Sequence, residues 1–348
     1  MKIFKRSPLS SIVGFFSIFY NYIGVLSFVV YPYMLLKTRF VMPVFDWLVL
    51  ISIVMLFSLS AYISGFVEAT QVYRFHWGFL IFYFFFRARG RGYDMRALFI
   101  ILLSMTFIES MLVNSLIAPE NLPNYPNDRE FSWSHFSDIW QRVYGVGGNP
   151  SVLSVLLVAL LSIVNPGTVI IMATSIIIIL IGSGSGAVAF ISYLIYKYMS
   201  KLRKSPIIIA TFIFLLALFY LLPDIDVIDK FFYKISYKYL SHLFELKQLQ
   251  ISDAVSNMDI FALLIGTANI ENMGGDFLWL SFFVCQGFAG SVLMLVFFLK
   301  RINSVNGFGI FIIFATTIHY FVLFSLPVQF LTGYLFAIRS KKVLNKRL

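Results

Sequence analysis

The feature that most limits how this chain can fold is a series of long apolar stretches that recurs from one end to the other. Hydrophobic residues make up 59% of the 348 positions, and the mean hydropathy of +0.86 is typical of membrane proteins. When such stretches form helices, they match the thickness of a bilayer. We therefore expect an all-α, polytopic integral membrane protein. Cys285 is the one cysteine in the sequence, so no disulfide framework is expected.

Two polar loops interrupt the apolar stretches, at residues 118–150 and 223–275. A short loop that carries Glu68, Arg74 and His76 is expected after the first clear span. Residues 10–36 fit either one long span or a hairpin of two short ones. The other spans are expected near residues 46–66, up to Phe86, 97–117, 151–164, 168–181, 186–199, 206–222, 277–299, 307–325 and 327–338.

The distribution of charge predicts the orientation. Six segments hold 20 of the 27 basic residues, whereas the two large loops are net negative, with two Arg against four acids and four Lys against seven acids. Basic segments face the cytoplasm, so the two loops should face outward. All six segments share one side only if residues 10–36 form a hairpin, which gives about 12 spans in a single domain over residues 1–348. The net charge of +11 thus reflects orientation, and no nucleic-acid partner is expected.

A Gly-rich turn joins the first large loop to the apolar segment that follows it. Arg142 precedes the glycines, and Asn149-Pro150 begins the apolar segment. Glycines let backbone N–H groups approach a ligand, and a helix N-terminus attracts anions, so this stretch suits an anionic group at a membrane surface. An ordinary helix cap after a surface loop explains the same residues equally well.

Other polar residues outside the spans are also candidates for binding. Arg129 and His135 lie near Tyr144 and two tryptophans, an arrangement that suits phosphate and sugar faces but also an interfacial aromatic belt. Glu109 lies in the outer half of a span and is a functional candidate, unless a Ser, a Thr or Arg74 holds it. Asp276 either acts as a base or orients a substrate hydroxyl, or else caps a helix.

The second loop contains Lys230, Lys234 and Lys238 at four-residue spacing, with apolar residues between them. This pattern predicts an amphipathic helix on the outer surface whose lysines meet membrane lipid headgroups or, less commonly, an anionic substrate. The sequence contains no nucleotide-binding motif, and its four His have no metal-ligand spacing, so we expect neither a nucleotide nor a metal.

Three segments resemble the superfamily of Wzy-type O-antigen polymerases and O-antigen ligases of the bacterial envelope. These segments run from Arg142 to Ser154, from Ile181 to Val188, and from Gly275 to Gly290. Their order, and the position of the two outer loops after the fifth and ninth of about 12 predicted spans, resemble the family more specifically than any one segment does.

The resemblance implies a GT-C-like enzyme of the bacterial inner membrane that needs no cofactor and whose active site faces the periplasm. It would transfer glycan from an undecaprenyl-pyrophosphate-linked donor to the non-reducing end of another lipid-linked repeat unit. A chain-length regulator protein is an implied partner. The resemblance assigns the pyrophosphate clamp to Arg142, with Arg129 and Arg74 as weaker companions, and the base or acceptor-orienting role to Asp276. His135, Tyr144, Asn149 and Glu109 complete the expected substrate site.

The sequence departs from the family pattern at two positions. Ser185 stands where many members have Arg, and Asp276 has neither the Asn that follows in the family pattern nor the His usual in ligases. The missing His favours polymerase over ligase.

A lipid-linked oligosaccharide flippase is a further alternative. The spans of a flippase should carry charges around a central cavity, and here nearly all acidic residues lie in loops. A scaffold subunit of an envelope complex has nothing positive in its favour.

Overall fold

The computed structural model describes residues 42–89, 95–115, 143–145, 149–202, 237–256, 258–268, 278–316 and 322–338, with residues 29, 32–33 and 36. The regular secondary structure of these residues is helical, and they contain no strand. The helices are α1 (Val44–Ser64), α2 (Phe66–Trp77), α3 (Phe79–Arg89), α4 (Met95–Ser115), α5 (Pro150–Val164), α6 (Thr168–Ile181), α7 (Gly184–Leu202), α8 (Tyr237–Ser256), α9 (Ile260–Ile265), α10 (Leu278–Arg301), α11 (Gly307–Thr316) and α12 (Leu326–Ala337), with a 3₁₀ turn at Val322–Phe324.

Three of the described helices are long and apolar enough to cross a membrane: Val44–Ser64, Met95–Leu112 and Trp279–Arg301. Helices α5, α6, α11 and α12 are shorter and also apolar. The prediction of an all-helical chain is therefore confirmed for the described residues, and three of their helices have the length and composition that a membrane span requires. The total of about 12 spans stays a prediction. Most of segment 10–36, the span at 206–222, and Lys230 and Lys234 lie outside the described residues.

Residues 66–77 form helix α2, so the prediction of a short loop there is wrong. The side chains that α2 buries are Ala69, Val72, Tyr73, His76 and Trp77. This spacing of three and four residues marks one face of a helix. Glu68 and Arg74 lie off that face, and Arg74 is exposed. The segment is polar on average, but one continuous apolar face is sufficient to hold a helix against its neighbours.

The contacts divide the chain into two compact units, of which unit 1 comprises Met1–Leu102, Val155–Pro166 and Gln250–Leu348. In unit 1, α3 packs closely on α12 at Gly333. A Cβ at that position would lie 2.6 Å from the carbonyl oxygen of Phe79, so only glycine permits the approach. Gln329 Nε2 on α12 also donates hydrogen bonds to the carbonyl oxygens of Arg74 and Phe75, at 3.1 and 3.0 Å.

Several helix ends of unit 1 meet at one place, which we call the basic end. Asp46, in the first turn of α1, pairs with Arg87 near the end of α3 and with Arg301, the last residue of α10. The loop after α10 is tied to the end of α12, because Asn303 Nδ2 donates to the carbonyl oxygen of Ile338 at 3.0 Å. The points where the chain joins the basic segments 37–44, 87–96, 300–301 and 339–348 therefore share one end of unit 1, whereas the side of the membrane that this end faces stays a prediction.

Helix α10 is broken at Gly287, whose φ of 62° and ψ of −168° are not helical. The carbonyl oxygens of Val284 and Cys285 accept hydrogen bonds from the N–H groups of Thr267 and Ala268, at 2.9 and 3.1 Å. Those donors follow the short helix α9. An irregular backbone at this depth is tolerated because another segment of protein supplies the missing partners.

Candidate functional site

The candidate site lies in unit 2, which comprises Leu103–Ser154 and Gly167–Leu249. Its first component is the turn that precedes α5. Gly145 adopts a φ of +63°, and its N–H donates a 2.9 Å hydrogen bond to Oε1 of Glu109 on α4. Glu109 is half-buried. The sequence suggested a Ser, a Thr or Arg74 as a partner for this carboxylate. It did not suggest the backbone N–H of Gly145, because the turn is 36 residues away along the chain.

Gly145 is also sterically constrained. A Cβ at this position would clash with the side chain of Leu153 on α5, and a positive φ is unfavourable for residues with side chains. The turn therefore folds back onto the helix that it introduces. Tyr144 is half-buried in the same turn. Glu109, Tyr144 and Gly145 thus belong to one small assembly at the start of α5.

Asn149 is the N-cap of α5. Its Oδ1 accepts hydrogen bonds from the N–H groups of Ser151 at 2.8 Å and Val152 at 3.4 Å. This is the ordinary helix cap that the sequence left open as the alternative to a binding role. The cap keeps the first turn of α5 in place, and a role for Asn149 in substrate binding stays a prediction.

The second component is the Ser-Gly-Ser-Gly segment at the start of α7. Ser183 Oγ accepts a 3.2 Å hydrogen bond from the N–H of Gly186, so Ser183 caps α7. The same hydroxyl lies 3.2 Å from the hydroxyl of Ser151 and 3.1 Å from that of Ser185. A chain of three hydroxyl groups therefore links the first turn of α5 to the first turn of α7.

The two helices also touch directly. A Cβ at Gly186 would overlap the side chain of Ser154, so the glycine allows α7 to lie against α5. Two of the three segments that carry the family resemblance, 142–154 and 181–188, are consequently neighbours in unit 2. Sequence reasoning did not single out Ser151 or Ser183 individually. The repeated Ser and Gly after an apolar helix were the available signal.

Chemically, this junction offers two helix N-termini side by side, with three hydroxyl groups between them. Each N-terminus carries partial positive charge and backbone N–H groups, which favour anions. The Glu109 carboxylate already accepts one N–H of the turn, so a bound anion would need a further cation. The predicted source of that cation, Arg142, lies outside the described residues, as do Arg129, His135 and Asp276.

Arg74, the remaining predicted site residue, belongs to unit 1. Its side chain is exposed, and its guanidinium carbon lies 4.8 Å from the ring centroid of Phe75. An exposed guanidinium is available to an anion. Its role as a companion to Arg142 stays a prediction.

The third family-like segment places a polar side chain in the core of unit 1. Gln286 is fully buried just before the break in α10. Its Oε1 accepts from Trp77 Nε1, and its Nε2 lies near Nδ1 of His76, both at 3.4 Å. These long contacts fix α10 against α2. The sequence predicts a loop at His76, whereas His76 is buried in α2. A glutamine in an apolar stretch was the signal available for its partner.

Among the residues that the structure describes, no group of three His, Cys, Asp or Glu side chains is placed to hold a metal ion. No family model matches the sequence, and no curated protein and no solved structure is significantly similar to it. The fold and the junction of α5 and α7 are thus the observations on which a function can be argued.

Proposed function

We propose that this protein is a bacterial surface-polysaccharide polymerase of the inner membrane. In this proposal it transfers glycan from an undecaprenyl-pyrophosphate-linked donor to the non-reducing end of a lipid-linked repeat unit, at the periplasmic face. It uses no nucleotide or metal cofactor, since the pyrophosphate of the donor is itself the leaving group. A chain-length regulator is the expected protein partner.

The observation that carries the proposal is the meeting of segments 142–154 and 181–188 in unit 2. The sequence identified these two segments separately, through their resemblance to the polymerase and ligase superfamily. The structure joins them through the hydroxyls of Ser151 and Ser183 and the contact between Gly186 and Ser154. Two helix N-termini with hydroxyl donors suit the oxygens of a pyrophosphate.

The reaction needs one bond to form and one to break. The acceptor hydroxyl oxygen attacks the anomeric carbon of the donor sugar, and the bond from that carbon to the pyrophosphate oxygen breaks. The lipid pyrophosphate leaves with the electron pair, and the proton of the acceptor hydroxyl passes to a base. In our proposal Asp276 takes this proton. Arg142 neutralises the negative charge that grows on the pyrophosphate, because a guanidinium donates in parallel to two phosphate oxygens.

Glu109 has a positioning role in this scheme. By accepting the N–H of Gly145, its carboxylate holds the turn that follows Arg142. The carboxylate lies on α4, a helix long and apolar enough to cross the membrane, so the turn is tied to a rigid element. Rigid support of this kind is needed where charge must be stabilised in a fixed geometry.

The proposal is tested with a strain that lacks the gene, in a host that makes lipopolysaccharide, complemented with wild type, Arg142→Ala or Arg142→Lys. Surface polysaccharide is separated on a gel. We expect the gene-less strain and Arg142→Ala to show core plus one repeat unit, because export and ligation still operate. Arg142→Lys keeps the charge but loses the parallel donors, so chains should be restored only in part. Lys300→Ala, an exposed cation in unit 1, is the control and should give the full ladder.

Other results would assign another function. Loss of every repeat in the gene-less strain, with lipid-linked polymer accumulating outside the membrane, would indicate a ligase. The same loss without external polymer would indicate a flippase. A full ladder from Arg142→Ala, in cells that contain normal amounts of the variant, would contradict the role assigned to Arg142.

A further inference from the structure

The basic end of unit 1 contains a buried charge cluster that the proposed function does not use. Asp46 is 0% exposed, and each of its carboxylate oxygens lies 3.1 Å from the hydroxyl of Tyr83. Arg87 Nε lies 3.3 Å from the same carboxylate, and Arg301 Nη2 donates to it. We call these four residues, Asp46, Tyr83, Arg87 and Arg301, the Asp46 cluster.

The charges of the Asp46 cluster do not balance. Two guanidinium groups face one carboxylate, which is the only anionic partner of either arginine among the residues that the structure describes. The arginine side chains are only 10% and 16% exposed, so water screens the extra charge poorly. A desolvated charge without a counter-charge is costly. The cluster therefore carries one positive charge for which the described residues provide no compensation.

Aromatic rings stabilise this charge but do not neutralise it. The guanidinium carbon of Arg301 lies 5.1 Å from the ring centroid of Phe45 and 5.5 Å from that of Tyr83. The Nε atom of Arg301 is buried and has no hydrogen-bond partner in the described part of the structure. Donor capacity thus remains after the carboxylate has been satisfied.

The position of the cluster identifies the kind of anion that is available. Asp46 lies in the first turn of one candidate span, and Arg301 ends another. The cluster is therefore at the depth where a membrane-spanning helix meets the lipid headgroups. Basic sites between spans at this depth bind the phosphates of anionic lipids.

We propose that the Asp46 cluster binds a phosphate-bearing anion, supplied by the headgroup of an anionic phospholipid at the basic end of unit 1. The phosphate lies against Arg301 and Arg87 and completes their charge balance. Asp46 holds the two guanidinium groups in place and limits the site to a single excess charge. The bound lipid then stabilises the association of α1, α3 and α10.

The test measures lipid-dependent stability of the purified full-length chain in a neutral detergent. Its midpoint of thermal unfolding is followed during titration with phosphatidylglycerol or, in parallel, with phosphatidylcholine. We expect phosphatidylglycerol alone to raise the midpoint. Arg301→Gln leaves Asp46 paired with Arg87, so the variant should fold, but its cluster is neutral. Its apparent affinity for phosphatidylglycerol should fall about fivefold, the usual effect of one basic residue at a lipid surface.

Lys300→Gln is the matched control, because it removes the same charge from the neighbouring, exposed position. It should bind phosphatidylglycerol as wild type does. A full response in Arg301→Gln, or an equal loss in Lys300→Gln, would overturn the proposal, since the effect would then belong to overall charge. Equal stabilisation by both lipids would also overturn it.

One further variant and one further ligand test the charge of the site and the source of its anion. Asp46→Asn keeps a side-chain oxygen that accepts hydrogen bonds from the two guanidinium groups but raises the charge of the cluster, so its affinity for phosphatidylglycerol should increase about fivefold even if its unfolding midpoint without lipid is lower. A decrease in affinity would contradict an anion site. In a separate titration, inorganic phosphate is added to protein that has phosphatidylcholine as its only lipid. If the unfolding midpoint rises as much as it does with phosphatidylglycerol, and Arg301→Gln loses this rise, the phosphate site is supported and its ligand is a soluble anion instead of a lipid.

Discussion

At the residue scale, the junction of α5 and α7 depends on the absence of a side chain at Gly186. A Cβ there would overlap Ser154, whereas a Cβ at Gly184, two residues earlier, would meet nothing within 4 Å. The two glycines lie in the same first turn of α7. They therefore form a pair in which helix propensity is matched and only the contact differs.

We predict that Gly186→Ala disturbs the junction while Gly184→Ala does not. Overpacking at a close contact costs about 1–3 kcal/mol, which here would push the hydroxyl of Ser183 away from that of Ser151. In the polysaccharide assay Gly186→Ala should shorten the ladder, and Gly184→Ala should leave it unchanged. Protein amount in the membrane is measured alongside. Ladders of equal length from the two variants would show that polymer length does not depend on the close contact between α5 and α7.

The sequence singled out segments 142–154 and 181–188 through their resemblance to one family, and their described residues are neighbours in unit 2. The hydrogen bond from Gly145 to Glu109 and the hydroxyl contact between Ser151 and Ser183 did not follow, because they join helices that are distant along the chain. Local periodicity reports which face of a helix is buried, but it does not report which other helix covers that face.

At the element scale, helix boundaries were predicted well where backbone signals coincide with apolar composition. The segments expected to be apolar helices at 151–164 and 168–181 form helices at Pro150–Val164 and Thr168–Ile181. A proline begins the first, and Gly182, in the left-handed conformation, ends the second. Helix α2 was missed because its polar residues lower the average hydropathy. Its buried face, at three- and four-residue spacing, was nevertheless present in the sequence.

Element packing gives a further prediction at Gly333. Gly333→Ala would place a Cβ 2.6 Å from the carbonyl oxygen of Phe79, so α12 would have to move away from α3. We expect destabilisation of about 1–3 kcal/mol. At Gly307 the nearest atom to an added Cβ is 3.5 Å away, an ordinary contact, so Gly307→Ala should be close to neutral. The unfolding midpoints of the two purified variants test the difference. A Gly333→Ala variant as stable as Gly307→Ala would contradict the close packing.

At the scale of the whole molecule, the charge pattern predicted that basic segments share one side of the membrane. In unit 1 the ends of four of these segments lie together, through the Asp46 cluster and the link from Asn303 to Ile338, and the side of the membrane that they face stays a prediction. The number of spans could not be settled in the same way, because residues 10–36 have the length of one long span or two short ones. Composition shows that a segment is apolar, but it does not show how many times the segment crosses the membrane.

Cysteine accessibility tests this arrangement. In a Cys285→Ala background, single cysteines are introduced by Lys300→Cys, Arg339→Cys and Tyr62→Cys. Lys300 precedes Arg301 of the basic end, and Arg339 is the residue that follows Ile338 in the sequence, whereas Tyr62 is 91% exposed near the opposite end of α1. In intact cells, a membrane-impermeant maleimide should label Tyr62→Cys and should reach the other two only after the membrane is opened. Labelling of Lys300→Cys and Arg339→Cys from opposite sides would contradict the shared basic end.

The break in α10 has a consequence for biosynthesis. Thr267 and Ala268, which supply hydrogen bonds to the carbonyl groups of Val284 and Cys285, come earlier in the chain and therefore leave the ribosome first. A span that entered the bilayer alone would expose those two carbonyl groups to hydrocarbon, which is costly. We therefore expect α9 and α10 to be inserted as one unit, with the membrane-insertion machinery retaining α9 until α10 has been made.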